Sequence, residues 1–123
     1  MRTIFALCAA ILVIGSFYIW RATQLPDHFG EFSGARDVAV ADLVDRPKDF
    51  LGKTVSTRGT VTEQCRTMGC FFFFPTAKGK LRVELKDIAM DAPMRQGRPA
   101  HVEGQLVPYL DGYQLYASAV EFE

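Results

Sequence analysis

Two cysteines and a run of phenylalanines are the residues of this 123-residue chain whose types and spacing could do chemistry. Residues 66–69 separate Cys65 from Cys70, and Gly69 can adopt the positive φ that closes a short loop. If the two cysteines face each other across a hairpin, their side chains lie close enough for a disulfide. Such a bridge stabilises a small domain by roughly 2 kcal/mol.

The same cysteine pair is compatible with two other chemistries. A thiol-redox or metal-handling site is the first alternative, and a pair of unlinked thiols is the second. Two sulfurs alone do not complete a tetrahedral zinc site, and no histidine or further cysteine pair stands near Cys65 and Cys70. The sequence therefore favours the disulfide and predicts neither a metal site nor a cofactor.

Four consecutive phenylalanines follow the cysteine loop. In an extended strand, Phe72 and Phe74 share one face with Val61, whereas Phe71 and Phe73 point the other way. Packing beneath a neighbouring segment would explain the second pair, and an exposed aromatic patch would instead mark a contact surface. The predicted partner or ligand surface consists of Arg66, Met68, Phe71 and Phe73.

The rest of the chain offers little for catalysis or for binding nucleic acid. Its two histidines have no evident partner, and His101 alternates onto the polar face of its strand with Glu103 and Gln105. No Ser/His/Asp set, phosphate loop or metalloprotease helix is visible. The 14 basic and 14 acidic residues cancel, so the positive field that nucleic acids require is missing. We expect a non-enzymatic protein with no catalytic residues and no nucleic-acid partner.

An N-terminal apolar run predicts a membrane anchor. Residues 3–20 carry no charge, lie between Arg2 and Arg21, and are numerous enough for a helix across a hydrocarbon core of roughly 30 Å. The run ends in the interfacial aromatics Phe17, Tyr18 and Trp20, which favours a retained anchor over a cleaved signal. We expect a single-pass protein of the bacterial inner (cytoplasmic) membrane with its C-terminal domain in the periplasm or extracytoplasmic space, where disulfides form.

Three regions follow from these patterns: an anchor at 1–21, a linker at 22–37 and a domain at 38–123. The domain begins with a short helical stretch that Pro47 interrupts. Period-two alternation, a dense apolar run and an Asp111-Gly112 turn then predict five strands, near 55–62, 70–74, 81–85, 99–107 and 113–122. The fold class is mainly all-β, and a five-stranded OB-like barrel fits best. An open β-sandwich or an SH3-like barrel is the alternative.

Residues 38–107 also resemble a known family. The order Leu51-Gly52-Lys53-Thr54-Val55, then Arg58-Gly59-Thr60-Val61, then Cys65-x3-Gly69-Cys70-Phe71 is similar to small exported bacterial domains of unknown function, which are marked by a G-x-V strand and a C-x3-G-C-W hairpin. Phe71 stands where the family has tryptophan. The resemblance implies an OB-like barrel and an exported location, and it implies no activity.

These observations predict a membrane-anchored extracytoplasmic binding or accessory module, a subunit or assembly partner of an envelope complex with a protein partner. The alternative is a thiol-redox or metal-handling protein that uses Cys65 and Cys70.

Overall fold

The computed structural model describes residues 1–23, 27–65, 70–89 and 92–123. Helix α1 (Arg2–Thr23) is the N-terminal apolar element. Its segment Arg2–Trp20 has a mean hydropathy of 2.2, and none of its side chains is buried against the rest of the protein. By length and composition, this helix can cross a membrane.

After α1, the described residues form six strands and two short helical pieces. The strands are β1 (His28–Gly30), β2 (Thr54–Thr60), β3 (Phe71–Pro75), β4 (Lys80–Glu84), β5 (Pro99–Tyr109) and β6 (Gly112–Phe122). Helix α2 spans Val40–Asp45, and a 3-10 turn spans Pro47–Asp49, where the proline fixes the first position. The five later strands match the predicted ones, whereas β1 lies inside the predicted linker and was not expected.

The strands form one sheet in the order β2-β5-β6-β4-β3, with β1 added beside β6. The pairing of β4 with β6 is parallel, and the other pairings are antiparallel. Just beyond β2, the backbones of Thr62 and Phe73 exchange two hydrogen bonds of 2.9 and 2.8 Å. Because these bonds join the two ends of the sheet, the sheet closes into a small barrel. The predicted OB-like fold class is confirmed.

In the described part of the chain, aliphatic side chains fill the barrel interior around the rings of Phe72, Phe74 and Phe122. Phe72 and Phe74 are both 0% exposed. A Cβ on Gly59 would lie 2.7 Å from Cγ of Phe74, so only glycine leaves room for that ring. A Cβ on Gly104 would lie 2.4 Å from the carbonyl oxygen of Tyr116, at an irregularity in the pairing of β5 with β6. Both glycines lie within strands, at points where a strand bends or another group approaches its backbone closely.

Residues 27–38, here called the strap, run across the outside of the sheet. The strap begins with β1, where the Phe29 ring meets Phe122 edge to face at 6.5 Å. The other end of the strap pairs with Ser56 of β2. The Ser56 amide donates to the Arg36 carbonyl at 2.9 Å, and the Ser56 carbonyl accepts from the Val38 amide at 2.8 Å. Much of the predicted linker is therefore hydrogen-bonded to the barrel.

Candidate functional site

The outer face of β3 and β4 carries an aromatic cluster. Phe71 and Phe73 are half-buried on the side of β3 opposite to the core pair. Their rings meet edge to face, with centroids 6.0 Å apart and an interplanar angle of 82°. This is a favourable geometry for two aromatic rings. The strand thus presents one ordered aromatic pair to the surface.

Cations from β4 cover these rings. The Arg82 guanidinium lies 4.0 Å from the Phe71 centroid and 4.6 Å from the Tyr109 centroid, and the Lys80 ammonium lies 4.6 Å from the Phe73 centroid. All three distances are within the range of a cation–π contact. We call these five side chains the aromatic–cation row: Lys80, Phe73, Phe71, Arg82 and Tyr109.

Neighbouring polar side chains hold both cations in place. Arg82 donates to Glu84 at 2.8 Å and to Gln114 at 3.1 Å, and its side chain is only 17% exposed. Lys80 pairs with Glu63 at 2.7 Å. Each cation of the row therefore has a carboxylate partner within the protein. The surface is ordered and close to neutral.

A groove opens where the row meets the turn between β5 and β6. It has a volume of about 530 Å³ and is lined by Phe73, Lys80, Arg82 and residues 109–113. At its rim, Leu110 is 88% exposed and has a φ of 48°. That backbone conformation favours glycine or asparagine and disfavours a branched apolar residue. An exposed leucine at this position has no packing role in the barrel.

The two cysteines flank the loop that leads into β3. Thr62 pairs with Phe73, whereas the Cys65 amide donates to the Phe71 carbonyl at 3.0 Å. The register between this segment and β3 therefore shifts by one residue. The shift occurs at Glu63, whose φ is 50°. Both cysteine side chains are thiols here, and they are hydrogen-bonded to each other. Of the predicted surface residues, Arg66 and Met68 lie outside the described residues.

The surroundings of Cys70 disfavour its ionised form. Burial raises the pKa of the Cys70 thiol, and the neighbouring Cys65 and Glu84 raise it further. Because the thiolate is the nucleophile and the metal ligand, a raised pKa makes this sulfur less reactive at neutral pH. Within the described part of the chain, no group of three or more His, Cys, Asp or Glu side chains is arranged to hold a metal ion.

His101 has partners that the sequence did not reveal. Its Nε2 atom is hydrogen-bonded to Ser56 Oγ and lies 4.0 Å from Asp37 Oδ1. The Phe32 ring stacks on the imidazole, with centroids 4.5 Å apart. A hydrolytic triad needs the serine and the carboxylate on different ring nitrogens, and Ser56 is buried. This cluster attaches the strap to the sheet and is not arranged for hydrolysis.

Glu103 lies beside this cluster on the outer face of β5, where the strap covers it and leaves it only 2% exposed. Its carboxylate accepts hydrogen bonds from the Ser33 amide at 2.9 Å, the Ser33 hydroxyl and the Ala35 amide at 3.4 Å. Burial alone would raise the pKa of Glu103, but the hydrogen bonds from Ser33 and from the strap amides outweigh burial and lower it. Glu103 is therefore an ionised anchor point for the strap.

Comparisons with known proteins agree with the fold. No protein-family model matches the chain, and no curated protein matches it. Among solved structures, the chain is similar to the hypothetical protein ygiW from E. coli, with a TM-score of 0.52 and 15% identity over 77% of this chain and 97% of that one. A putative aspartyl-tRNA synthetase from Leishmania major Friedlin gives a TM-score of 0.52 and 15% identity over 75% of this chain.

The chain spans only 21% of the length of that synthetase. At this level of identity, both likenesses show the fold alone, and ygiW is an OB-fold protein. The fold and the comparisons together define the class: a small OB-type barrel domain that follows an apolar N-terminal helix.

Proposed function

We propose that this protein is a membrane-anchored, extracytoplasmic, non-enzymatic binding module that holds a protein partner on the outer face of β3 and β4. It would act as a subunit or assembly partner of an envelope complex. The observation that carries the proposal is the position of the aromatic–cation row. By their order in the barrel, β2 to β6 correspond to the five strands of an OB fold, so β3 and β4 are its second and third strands. The outer face of those two strands, with its flanking loops, is where OB folds bind ligands.

The chemistry of the groove favours a protein over a polyanion. The carboxylates of Glu63 and Glu84 already neutralise the two cations of the row, so a nucleic acid would have to displace them. Half-buried aromatic rings, a stacked arginine and the protruding Leu110 are instead features of protein interfaces, where aromatic residues and arginine are enriched. A partner with an apolar, uncharged contact segment fits this groove.

The path of the strap supports a placement of the groove away from the membrane. Only residues 24–26 separate α1 from Asp27, and this stretch spans at most about 14 Å. The Asp27 carbonyl accepts from the Phe122 amide at 2.8 Å, at the end of the barrel where β6 finishes. Strand β5 contains 11 residues, roughly 33 Å, and the groove lies at its other end. The anchor would thus hold the row outward, toward a partner.

Site-specific photocrosslinking in intact cells tests the binding function. A benzophenone amino acid placed at residue 73 of the full chain should give one discrete crosslinked species in the membrane fraction. The same label at residue 60, which is exposed on β2, is the control and should give none. Arg82→Ala in the residue-73 variant should reduce the product, because the row loses its order. Equal crosslinking from both sites, or none from residue 73, would contradict the proposal.

Fractionation combined with intact mass analysis tests the anchor. Full-length protein should be found in membranes. A soluble mature form that begins near residue 23 would show that α1 is a cleaved signal.

A thiol-redox role is the second candidate, because the side chains of Cys65 and Cys70 are in contact. The raised pKa of Cys70 favours a structural pair over a reactive one. Labelling of the native protein with and without reductant separates these two roles.

A further inference from the structure

A second cleft lies away from the aromatic–cation row, beside the 3-10 turn. It has a volume of about 390 Å³, within the usual range of small-ligand pockets. Three cationic side chains line it, together with an apolar floor. The cations are Arg36, Arg46 and Lys53, and the floor consists of Val38, Phe50 and Val55.

The backbones of Arg36 and Lys53 are held in place by hydrogen bonds. The Arg36 carbonyl accepts from the Ser56 amide at 2.9 Å. The Lys53 amide donates to the Phe50 carbonyl at 2.9 Å, and its carbonyl accepts from the Leu106 amide at 3.3 Å. The cleft is therefore assembled by the strap, β2 and the segment that precedes β2, and it does not depend on the loop between the cysteines.

The charge of the cleft is not balanced within the protein. Asp49 is the carboxylate of the lining, and it lies 3.8 Å from Arg46, which also pairs with Asp42 at 3.3 Å. Neither Arg36 nor Lys53 forms an ion pair with any residue in the described ranges. Within the described part of the chain, these two positive charges stand beside the apolar side chains of the cleft without an ion-pair partner.

We infer that this cleft binds a small anion that carries a short apolar group, such as a phosphate ester or a carboxylate with a hydrocarbon chain. Arg36 and Lys53 would hold the anionic group through charge-assisted hydrogen bonds. The side chains of Val38, Phe50 and Val55 would contact the hydrocarbon part and exclude water from it. This cleft is separate from the β3–β4 face, so anion binding here does not depend on the proposed function.

Amide NMR shifts of the full chain in neutral detergent micelles test this inference. The probes are butyl phosphate, inorganic phosphate and butanol, titrated to about 10 mM, a range that detects millimolar affinity. Butyl phosphate should shift the amides of Val38, Lys53 and Val55 and bind more tightly than either fragment. Arg36→Gln combined with Lys53→Gln should weaken binding by about tenfold or more, because two charge-assisted contacts are lost.

Lys48→Gln is the matched control, since Lys48 is exposed on the 3-10 turn but does not line the cleft. It should leave the affinity for butyl phosphate unchanged. A second arm uses nanodiscs of neutral lipid or of anionic phosphatidylglycerol without soluble probe. Shifts of the cleft amides only in the anionic nanodiscs would identify a lipid headgroup as the source of the anion. The inference is overturned if butyl phosphate gives no shifts in the wild type, or if the double variant and the control weaken binding equally.

Discussion

The Arg82 guanidinium lies between two aromatic rings, 4.0 Å from the centroid of Phe71 and 4.6 Å from that of Tyr109. Phe71 belongs to β3, and Tyr109 lies at the end of β5. The Arg82 side chain therefore links β3 and β4 to the turn that borders the groove. A planar guanidinium can stack on two rings and still donate hydrogen bonds from its edge. The contact between Phe71 and Tyr109 through the row therefore depends on an arginine.

Arg82→Lys should destabilise the protein even though it keeps the charge. An ammonium cannot stack on both rings while also contacting Glu84 and Gln114, so at least one cation–π contact is lost, at about 0.5–1 kcal/mol each. Urea melts should show a drop of about 1 kcal/mol in the free energy of unfolding. Arg58→Lys, at an exposed position on β2, is the control and should stay close to wild type. Equal stability of Arg82→Lys and wild type would mean that the stacking contributes nothing.

The four phenylalanines should divide into two classes. Phe72→Ala and Phe74→Ala each remove a fully buried ring and should cost about 3–5 kcal/mol, enough to unfold a marginal small domain. Phe71→Ala and Phe73→Ala should cost on the order of 1 kcal/mol, because both rings are only half-buried. Urea melts of the four single variants measure the difference. A similar cost at all four positions would show that the outer pair also belongs to the core.

Much of the barrel could be predicted because its strands are local patterns. In β4, residues 80–83 alternate between surface and core, and such period-two alternation can be recognised without knowledge of the fold. Strand β1 could not be predicted in this way. With only His28, Phe29 and Gly30, it is too short to show a period, and it forms because β6 offers a free edge.

The candidate site was predictable only in part, because its contacts join distant residues. The alternation of Phe71–Phe74 separates an inner from an outer pair, but nothing local connects Arg82 to Tyr109. Glu103 shows the same limit. Its place in a strand predicts a solvent-facing carboxylate, whereas the strap that buries it lies about 70 positions earlier in the chain. Burial by a distant segment leaves no signal in the local sequence.

The stability of the protein should depend on pH through Glu103. The pKa of Glu103 is lower in the folded state than in the unfolded chain, so its contribution is present above the unfolded pKa, near pH 4.5. That contribution is lost as the pH falls from there through the folded pKa. Glu103→Gln should lose about 1.5–3 kcal/mol at neutral pH, because the strap amides lose a charged acceptor.

Urea melts of Glu103→Gln between neutral pH and pH 3 check this expectation. The variant should show a smaller loss of stability on acidification than wild type. Glu121→Gln, an exposed carboxylate on β6, is the matched control and should follow the wild-type profile. If Glu103→Gln and wild type lose stability in parallel as the pH falls, the ionised Glu103 carboxylate does not stabilise the attachment of the strap.

The cysteine pair should behave as a structural disulfide in protein isolated from an oxidising compartment. Iodoacetamide should label Cys65 and Cys70 only after strong reduction, as mass analysis of the peptide that contains both can show. After reduction, Cys70 should react more slowly than glutathione at pH 7–8, because its raised pKa leaves less thiolate. Its rate should continue to rise at higher pH. Rapid labelling without reductant, or metal recovered with the protein, would favour the redox or metal-handling alternative.

Substitutions of Leu110 should weaken partner binding without lowering the stability of the protein. Its φ of 48° costs a non-glycine residue about 1–2 kcal/mol, and its 88% exposed side chain regains little of this by packing. Leu110→Gly removes that strain but makes the unfolded chain more flexible, so the net effect should be a gain of up to about 1 kcal/mol in urea melts. Leu110→Ala keeps the strain and should change stability by less than about 0.5 kcal/mol.

If the groove binds a partner, both Leu110 variants should lose photocrosslinking from residue 73. Neither variant should be less stable than wild type by more than about 0.5 kcal/mol. An exposed apolar side chain contributes to binding when a partner buries it, and its loss then weakens binding without unfolding the protein. Ala77→Gly, at an exposed position in the turn between β3 and β4 and outside the groove lining, controls for general effects of a turn substitution. A Leu110→Gly variant that is clearly destabilised would assign the leucine a structural role, and undiminished crosslinking in both variants would remove it from the binding surface.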